Sequence, residues 1–378
     1  MKPTPIRRAL LRWFDAHKRD LPWRGTNDPY QVWLSETMLQ QTRVPTVIPY
    51  YHRLLRAFPT VRKLARARLG SVLRLWAGLG YYSRARNLHA AAKKIVCERG
   101  GRFPATLDAA LALPGIGPYT ARAILSIAYG KPVAVVDGNV TRVLVRLFHL
   151  RSADPNDRIA LQPLADKLVA PRRPGDFNQA LMELGSTVCL PRAPRCTACP
   201  LEKLCAARLA GVERTLGLRR AKRTRPTTTR SVLVARRNGR LLLVREPAAA
   251  GSIFSGLWHF PYSTASTLKK LAQQFGANGL RPVGTIDHEM TARHLVLRVY
   301  EGVSSARRVR ALALTLNGKR REGAFRSEAK AERRPRARRG GSRGTPEVSV
   351  ARWVRPQDIA RLGVGAATRK IAAALERA

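Results

Sequence analysis

Four of the five cysteines stand close together in the chain and constrain its fold more than any other feature. Six, two and five residues separate them, at Cys189, Cys196, Cys199 and Cys205. Four thiolates so close in sequence can complete one tetrahedral zinc site or one iron–sulfur cluster. Zinc sites usually pair two short Cys-x-x-Cys knuckles, and only one short pair occurs here. The spacing therefore favours an iron–sulfur cluster over zinc. We expect the role of this cluster to be structural rather than chemical.

The loop that carries these cysteines is basic. Arg192, Arg195 and Lys203 lie between the expected ligands, so a loop pinned by a metal centre could press against phosphate groups. The fifth cysteine, Cys97, lies far away in sequence and is expected to be an ordinary core residue.

The charge of the chain indicates a polyanionic partner. Lys and Arg number 70 against 24 Asp and Glu, a formal net charge of +46. Nucleic acid is the leading candidate, an anionic membrane surface is the second, and solubility alone is the remaining explanation. No apolar run is long enough to span a bilayer, and the first residues lack a signal-peptide core. We therefore expect an intracellular, cytoplasmic protein, in which structural disulfides are rare.

The first part of the chain, residues 1–212, has the pattern of a helical domain. Apolar residues recur at helical spacing at its start, in Ile6, Leu10 and Phe14, and again over residues 140–147. Residues 213–230 follow, with seven Lys or Arg and one acid, which is typical of a basic linker.

The second part, residues 231–378, alternates β-rich runs with turns. Two such runs flank Asn238-Gly239, a dipeptide that favours a tight hairpin, and further strands are predicted over residues 294–303 and 346–354. Within this part, residues 307–343 hold fourteen Lys or Arg and three acids, which predicts a disordered insertion. The predicted fold is a mainly α domain followed by a smaller α+β domain.

A glycine-containing turn between two predicted helices suggests a grip on phosphate. Gly115 and Gly117 lie in the turn between a helical stretch at 107–111 and another at 119–128. Glycines permit tight backbone geometry, and the amides that open the next helix can then bind a phosphate oxygen. Such contacts position nucleic acid without reading its sequence.

Two carboxylates stand in segments suited to acid–base chemistry. Glu36 lies among mostly apolar neighbours in WLSETMLQQTRV, so desolvation is expected to raise its pKa and favour a protonated acid. Asp137 lies in VVDGNVTRV, just before a predicted helix that begins near Gly138. The ordinary explanations are a surface carboxylate for Glu36 and a helix cap for Asp137.

Several of these motifs together resemble the MutY-type adenine DNA glycosylases of the endonuclease III superfamily. The resemblance covers about the first 205 residues and rests on five segments and the cysteine loop: DLPWR (20–24), WLSE-MLQQT (33–42), GLGYYSRARNL (78–88), LPGIGPYTA and VDGNV. It implies a helix-hairpin-helix domain and one four-iron, four-sulfur (4Fe-4S) cluster. It also implies a monomer that acts on double-stranded DNA with adenine opposite 8-oxoguanine or guanine and hydrolyses the N-glycosidic bond. Such a protein would be of bacterial type and associated with the nucleoid.

The resemblance also implies catalytic roles. Glu36 would protonate the adenine, which leaves poorly as an anion, and Asp137 would stabilise or trap the cationic sugar. The endonuclease III-like alternative, a glycosylase and lyase for damaged pyrimidines, uses a lysine where this chain has Tyr119. We therefore expect a monofunctional glycosylase. A non-enzymatic DNA-binding protein would not need both Glu36 and Asp137.

The remaining site residues implied by the resemblance surround a flipped base. Tyr81 would wedge beside the base opposite, although core packing is the ordinary role of Tyr81 and Trp23. The residues expected to line or support the adenine pocket are Arg19, Leu21, Trp23, Gln41, Tyr119 and Gln179.

The second domain resembles the Nudix-like C-terminal domain of the same family in FSGLWHFP (254–261) and VARWVRPQDIARL (350–362). Residues 262–280 contain no acid, so they lack the magnesium-binding helix of a Nudix hydrolase. We expect recognition of 8-oxoguanine instead. The family commonly uses a Phe-Ser-His segment for this, and here the aligned residues are Ala292, Arg293 and His294.

Overall fold

The computed structural model divides the chain into two compact units, Met1–Thr224 and Arg225–Ala378. It describes residues 3–150, 158–216, 226–247, 254–263, 267–290, 294–305 and 350–376. The basic insertion predicted at 307–343 and the pair Ala292 and Arg293 lie outside these ranges. No helix in the described part of the chain combines the length and the apolar character needed to cross a membrane.

The first unit is mainly α, as the sequence predicts. Its cysteine loop also contains two short 3-10 turns, Cys196–Ala198 and Glu202–Leu204. Its helices are α1 (Pro3–His17), α2 (Pro29–Leu39), α3 (Val44–Ala57), α4 (Val61–Arg66), α5 (Leu69–Trp76), α6 (Tyr82–Arg99), α7 (Leu107–Leu111), α8 (Pro118–Ala128), α9 (Gly138–Leu147), α10 (Arg158–Leu168), α11 (Pro174–Thr187) and α12 (Ala206–Leu209).

Helix α9 lies at the centre of one apolar core of this unit. Its side chains from Val140 to Leu147 are all buried, and α1 packs the predicted apolar face of Ile6, Leu10 and Phe14 into the same core. Helix α11 approaches its neighbours closely, because a Cβ on Gly175 would lie 2.8 Å from the Ile127 Cα atom. Farther along α11, a Cβ on Gly185 would lie 2.7 Å from the Asn139 Cβ, so α11 also packs against the first turn of α9, directly after its N-cap Asp137.

The second unit is a mixed sheet with helices, which confirms the predicted α+β class. The elements are β1 (Thr227–Arg237), β2 (Arg240–Arg245), β3 (Trp258–His259), β4 (Tyr262–Ser263), α13 (Leu268–Gln274), β5 (Ala277–Glu289), β6 (His294–Ser304), β7 (Val350–Val354), a 3-10 helix (Pro356–Arg361) and α14 (Ala366–Leu375).

The sheet has the order β3-β2-β1-β6-β5, with β4 paired to β1 and β7 paired to β2. Strands β1 and β6 run parallel, whereas the other pairs are antiparallel. Successive β1 residues point to opposite faces, so Val232 joins the core under α14 and Leu233 joins the core under α13. The β1–β2 hairpin turns at Asn238 and Gly239, both at positive φ (46° and 69°), as the dipeptide predicts.

The basic stretch assigned to a linker, 213–230, is shorter than predicted at both ends. Glu213 is buried, and the Leu216 carbonyl accepts a hydrogen bond of 2.9 Å from Arg146 in the first unit. At the other end, β1 begins at Thr227, because the threonines there pair with the start of β6. β-Branched residues suit a strand, and this property outweighs the basic composition.

Candidate active site

Glu36 and Tyr119 form a hydrogen-bonded pair in the first unit. Glu36 lies on α2 and is 6% exposed, and Tyr119 lies in the first turn of α8. The Tyr119 hydroxyl donates to Glu36 Oε2 at 2.8 Å and also lies 3.2 Å from Met182 Sδ. Burial raises the pKa of Glu36 to about 7, the bond from Tyr119 opposes this rise, and the charge of Asp137 adds to it. The buried acid predicted from its apolar neighbours is therefore present, with a second carboxylate near it.

Asp137 caps the N-terminus of α9. Its Oδ1 atom accepts hydrogen bonds from the backbone amides of Asn139 (2.8 Å) and Val140 (2.7 Å). Its Oδ2 atom accepts one from the Asn139 side chain at 3.1 Å. Asp137 is thus a helix cap, as its position before α9 suggested. The three donors also fix the orientation of its carboxylate.

The segment around Asp137 is held by two residues to which the sequence analysis assigned no role. Asn178 is fully buried, its Oδ1 atom accepts from the Val135 amide (3.0 Å), and its Nδ2 atom donates to Ser126 Oγ (2.9 Å). Arg142, one turn into α9, donates to Asn139 Oδ1 (3.1 Å) and to the Cys189 carbonyl (2.8 Å). One guanidinium therefore connects the cap of Asp137 with the cysteine loop.

The residues expected to line the base pocket differ in their exposure. Leu21 and Trp23 are buried, and the Trp23 ring packs edge-on against Tyr51 with the centroids 5.5 Å apart. Gln179 is half-buried on α11. Gln41 is exposed just after α2 and has a positive φ of 59°.

Arg19 is joined to a buried glutamate that the sequence analysis missed. It donates to Glu183 Oε1 (2.5 Å) and Oε2 (2.9 Å), and Arg24 donates to the same Oε2 at 2.5 Å. Burial opposes ionisation of Glu183, but the bonds from both arginines prevail and lower its pKa. Arg24 is the last residue of the DLPWR segment, so that motif could have identified it as a site residue. Glu183 lies in no motif of this kind.

The turn predicted to bind phosphate is exposed and shaped by one of its two glycines. Gly115 has a φ of +75°, and a Cβ there would lie 2.5 Å from the Asn87 Cβ. Gly117 is the N-cap of α8 with a φ of −95°, and no atom lies within 4 Å of the place of its Cβ. The close packing therefore requires glycine at 115, whereas 117 has open space.

Tyr81 is exposed, so its role is not to pack in the core of the protein. Its side chain is 41% exposed, and its φ of +48° is rare for a residue with a side chain. It caps α6, and the guanidinium of Arg84 lies 5.2 Å from the centroid of its ring. Arg84 itself is buried, and burial lowers its pKa to about 10, so it stays charged at neutral pH.

The four clustered cysteines share one partly buried region of the first unit. Burial raises the pKa of Cys199 to about 12, and the charges of the other three cysteines act in the same direction. Within the described ranges, we find no group of three or more His, Cys, Asp or Glu side chains arranged to hold a metal ion. Cys97 is exposed near the end of α6, so the expectation of a core residue was wrong.

The chemistry around the four thiols nevertheless fits an anionic cluster. Arg146 is 1% exposed, its Nη1 atom lies 3.3 Å from Cys189 Sγ, and its guanidinium donates to the carbonyls of Leu190 and Pro191 (both 2.7 Å). Burying a guanidinium is costly unless negative charge lies near it. Thiolates bound to iron would supply that charge, as would thiolates bound to zinc.

In the second unit, His294 opens β6 beside two carboxylates. Its Nε2 atom lies 2.9 Å from Asp287 Oδ1 and 3.9 Å from Glu289 Oε1, and its side chain is 31% exposed. Both carboxylates are mostly exposed. The ring is thus held against β5, with two carboxylates beside it.

Comparison with known proteins gives a family and several relatives. Residues 34–168 match the family described as HhH-GPD superfamily base excision DNA repair protein. The adenine DNA glycosylase of Homo sapiens is 40% identical over 366 residues, which is 79% of this chain and 66% of the relative. That of Rattus norvegicus is 52% identical over 216 residues, 54% of this chain and 42% of the relative.

A solved structure is also similar to this chain. The structure of a thermostable thymine-DNA glycosylase is 31% identical and covers 55% of this chain and 97% of its own chain, with a TM-score of 0.52. The chain spans between 42% and 66% of the two curated relatives named above.

Proposed function

Since this chain belongs to the HhH-GPD superfamily of base excision DNA repair proteins, we propose that it is a monofunctional adenine DNA glycosylase. Its substrate is double-stranded DNA in which adenine faces 8-oxoguanine or guanine. It acts on this DNA as a monomer in the nucleoid, and it hydrolyses the bond between adenine and its deoxyribose.

The observation that carries this proposal is the pair of carboxyl groups with different environments. Burial holds the pKa of Glu36 near 7, so a protonated fraction is available at neutral pH. A protonated carboxyl can donate to a ring nitrogen of adenine, which weakens the glycosidic bond because adenine leaves poorly as an anion. The Tyr119 hydroxyl holds one oxygen of Glu36 in place for this transfer.

Asp137 is the second carboxylate of the reaction. Its three hydrogen-bond donors hold it in one orientation, and its negative charge can stabilise the oxocarbenium-like sugar or trap it covalently. Water then completes the hydrolysis at C1′ and leaves an abasic site. Tyr119 supplies no amine, so the backbone strand stays intact.

The remaining residues of the site bind and position the extruded nucleotide. Gly115 and Gly117 present backbone amides to a phosphate, and Tyr81 stacks beside the base opposite. Gln41, Gln179, Leu21 and Trp23 line or support the pocket. Arg19, held by its ion pair with Glu183, supports the pocket.

We also propose that Cys189, Cys196, Cys199 and Cys205 hold a four-iron, four-sulfur cluster, which would cross-link this basic loop. Its donors and the buried Arg146 support this assignment. Iron and acid-labile sulfide should be found in anaerobically purified protein. Zinc at about one per chain without iron would overturn the assignment, because one tetrahedral site binds one zinc.

A strand-cleavage assay tests the proposed activity. The purified protein is incubated with duplexes containing A opposite 8-oxoguanine, G, C or T, and with T opposite G, followed or not by alkali. We expect cleavage after alkali for A opposite 8-oxoguanine and G, and almost none for Glu36→Gln. Excision of T instead of A, or nicking without alkali, would contradict the proposal.

A further inference from the structure

Arg84 joins two backbone segments of the first unit that are distant in sequence. Its Nη1 atom donates to the carbonyls at the end of α2, those of Thr37 (3.0 Å), Met38 (2.7 Å) and Gln40 (2.5 Å). Its Nη2 atom donates to Thr42 Oγ1 (3.1 Å) and to the Gly80 carbonyl (3.2 Å). One guanidinium therefore holds the end of α2 beside the turn before α6.

The residues that this guanidinium brackets are both in unusual conformations. Gln41 lies between the bonded residues Gln40 and Thr42, and Tyr81 directly follows Gly80. Their φ angles are +59° and +48°, values that a residue with a Cβ adopts only when the surrounding structure enforces them. Both side chains are exposed. Enforced geometry at two exposed side chains points to a function rather than to packing.

The burial of Arg84 also indicates that this residue holds other residues in place and does not contact DNA itself. The residue is 8% exposed, and its Nε atom has no hydrogen-bond partner in the described part of the chain. An apolar side chain would avoid this cost of burial. The guanidinium lies 5.4 Å from the centroid of the Trp76 ring and 5.2 Å from that of Tyr81. Only a planar group with several donors can pack against these rings and bond both backbone segments at once.

We propose that Arg84 is a positioning residue that presents Tyr81 and Gln41 to DNA as one rigid wedge, so that DNA binding is coupled to extrusion of the target nucleotide. The proposal rests on the proposed function for the identity of the extruded base. The clamp itself is a property of the protein and can be measured without a substrate.

The first experiment measures the clamp in the free full-length protein. Hydrogen exchange followed by mass spectrometry is compared for the wild type, Arg84→Lys, Arg84→Met and Arg99→Met, a control at the exposed end of the same helix. In Arg84→Lys, peptides covering 39–43 and 78–82 should exchange about tenfold faster, because a charged hydrogen-bond network is lost. Peptides from α8 and α11 should not change. Unchanged exchange in both segments of Arg84→Lys overturns the proposal, whether or not Arg84→Met folds.

The second experiment asks whether Arg84 acts through the wedge. A duplex with 2-aminopurine in place of the target adenine reports extrusion by its fluorescence, and matched duplex reports general binding. Arg84→Lys should reduce the fluorescence change at saturation by about tenfold and leave the affinity for matched duplex unchanged. The double variant with Tyr81→Ala should be no worse than Tyr81→Ala alone.

Two outcomes of the second experiment would overturn the inference: normal extrusion by Arg84→Lys, or effects of the two substitutions that multiply. A failure of the proposed function is distinct from both, because the wild type would then extrude or excise no adenine while the exchange result still stands.

Discussion

At the scale of single residues, the proposed role of Glu36 as an acid comes with a cost in stability. Its pKa is raised from 4.5 to about 7 in the folded protein, so the folded state binds the proton more tightly than the unfolded chain does. Stability is therefore lost as the pH rises from about 4.5 to about 7, and it stays lost above that. The shift corresponds to about 3 kcal/mol at most, at 1.4 kcal/mol for each pH unit.

Replacement of Glu36 by Gln should make this cost visible. Gln has no charge to bury. Near pH 4.5, Glu36→Gln should therefore unfold at the same denaturant concentration as the wild type, or at a slightly lower one. At pH 8 the variant should be more stable than the wild type by about 1–3 kcal/mol. The measurement is urea unfolding at several pH values, with the exposed Glu98→Gln as control. A difference that does not depend on pH would contradict the raised pKa.

Tyr119 tunes the same acid in the opposite direction. Its hydroxyl donates to Glu36 Oε2, and this bond lowers the pKa of Glu36 against the effect of burial. Tyr119→Phe should therefore raise that pKa and move the alkaline limb of the single-turnover pH profile to higher pH. The rate at low pH can fall as well, because the acid loses its orientation. A limb that moves to lower pH, or stays in place, would show that the bond does not control the acid.

At the scale of elements, the turn before α8 provides a matched pair of substitutions. Gly115→Ala must move Asn87, because the new Cβ would lie 2.5 Å from its Cβ atom, and it also strains a φ of +75°. It should cost about 1–3 kcal/mol of stability and weaken binding to matched and mismatched duplexes alike. Gly117→Ala meets no atom within 4 Å and has a φ of −95°, so its cost should be small. Equal effects of the two variants on DNA binding would show that the turn does not need its present shape.

Some features of the fold and of the site follow from local sequence, and others do not. Helical spacing, the Asn238-Gly239 turn and the apolar setting of Glu36 are local properties, and each of them is found in the structure. The roles of Arg84 and Glu183 could not be found in this way, because Arg84 bonds the end of α2 and Glu183 bonds Arg19, and these partners lie more than forty residues away in sequence. A buried guanidinium has the same local pattern as an exposed one.

The start of β1 was misjudged for a related reason. The basic composition of 213–230 is a local signal for a linker, whereas the strand that begins at Thr227 exists because β6 supplies a parallel partner. Cys97 was assigned to a core on its residue type alone, but the face of α6 that it occupies is exposed.

At the scale of the whole molecule, the two units have separate cores and separate chemistry. Glu36, Asp137 and the turn that we propose to bind phosphate all belong to the first unit. Protein ending at Thr224 should therefore still excise adenine in single-turnover assays while it loses preference for 8-oxoguanine over guanine. A truncated protein that keeps the full preference would assign recognition of the oxidised base to the first unit. Its visible absorption and circular dichroism would check that it folds.

The last prediction concerns the residue in the second unit that would carry this preference. His294 lies 2.9 Å from Asp287 and 3.9 Å from Glu289, so a phosphate placed at its ring would face two carboxylates. A base edge has no such charge, and 8-oxoguanine adds a carbonyl acceptor and an N–H donor that guanine lacks. We therefore expect a base contact. In the full-length protein, His294→Ala should reduce the preference for 8-oxoguanine over guanine by about 1–3 kcal/mol, with little change in the salt dependence of binding. Asp287→Asn should reduce it less, because the imidazole remains but its orientation is no longer held. If His294→Ala instead weakens both duplexes equally and flattens the salt dependence, the contact is to phosphate.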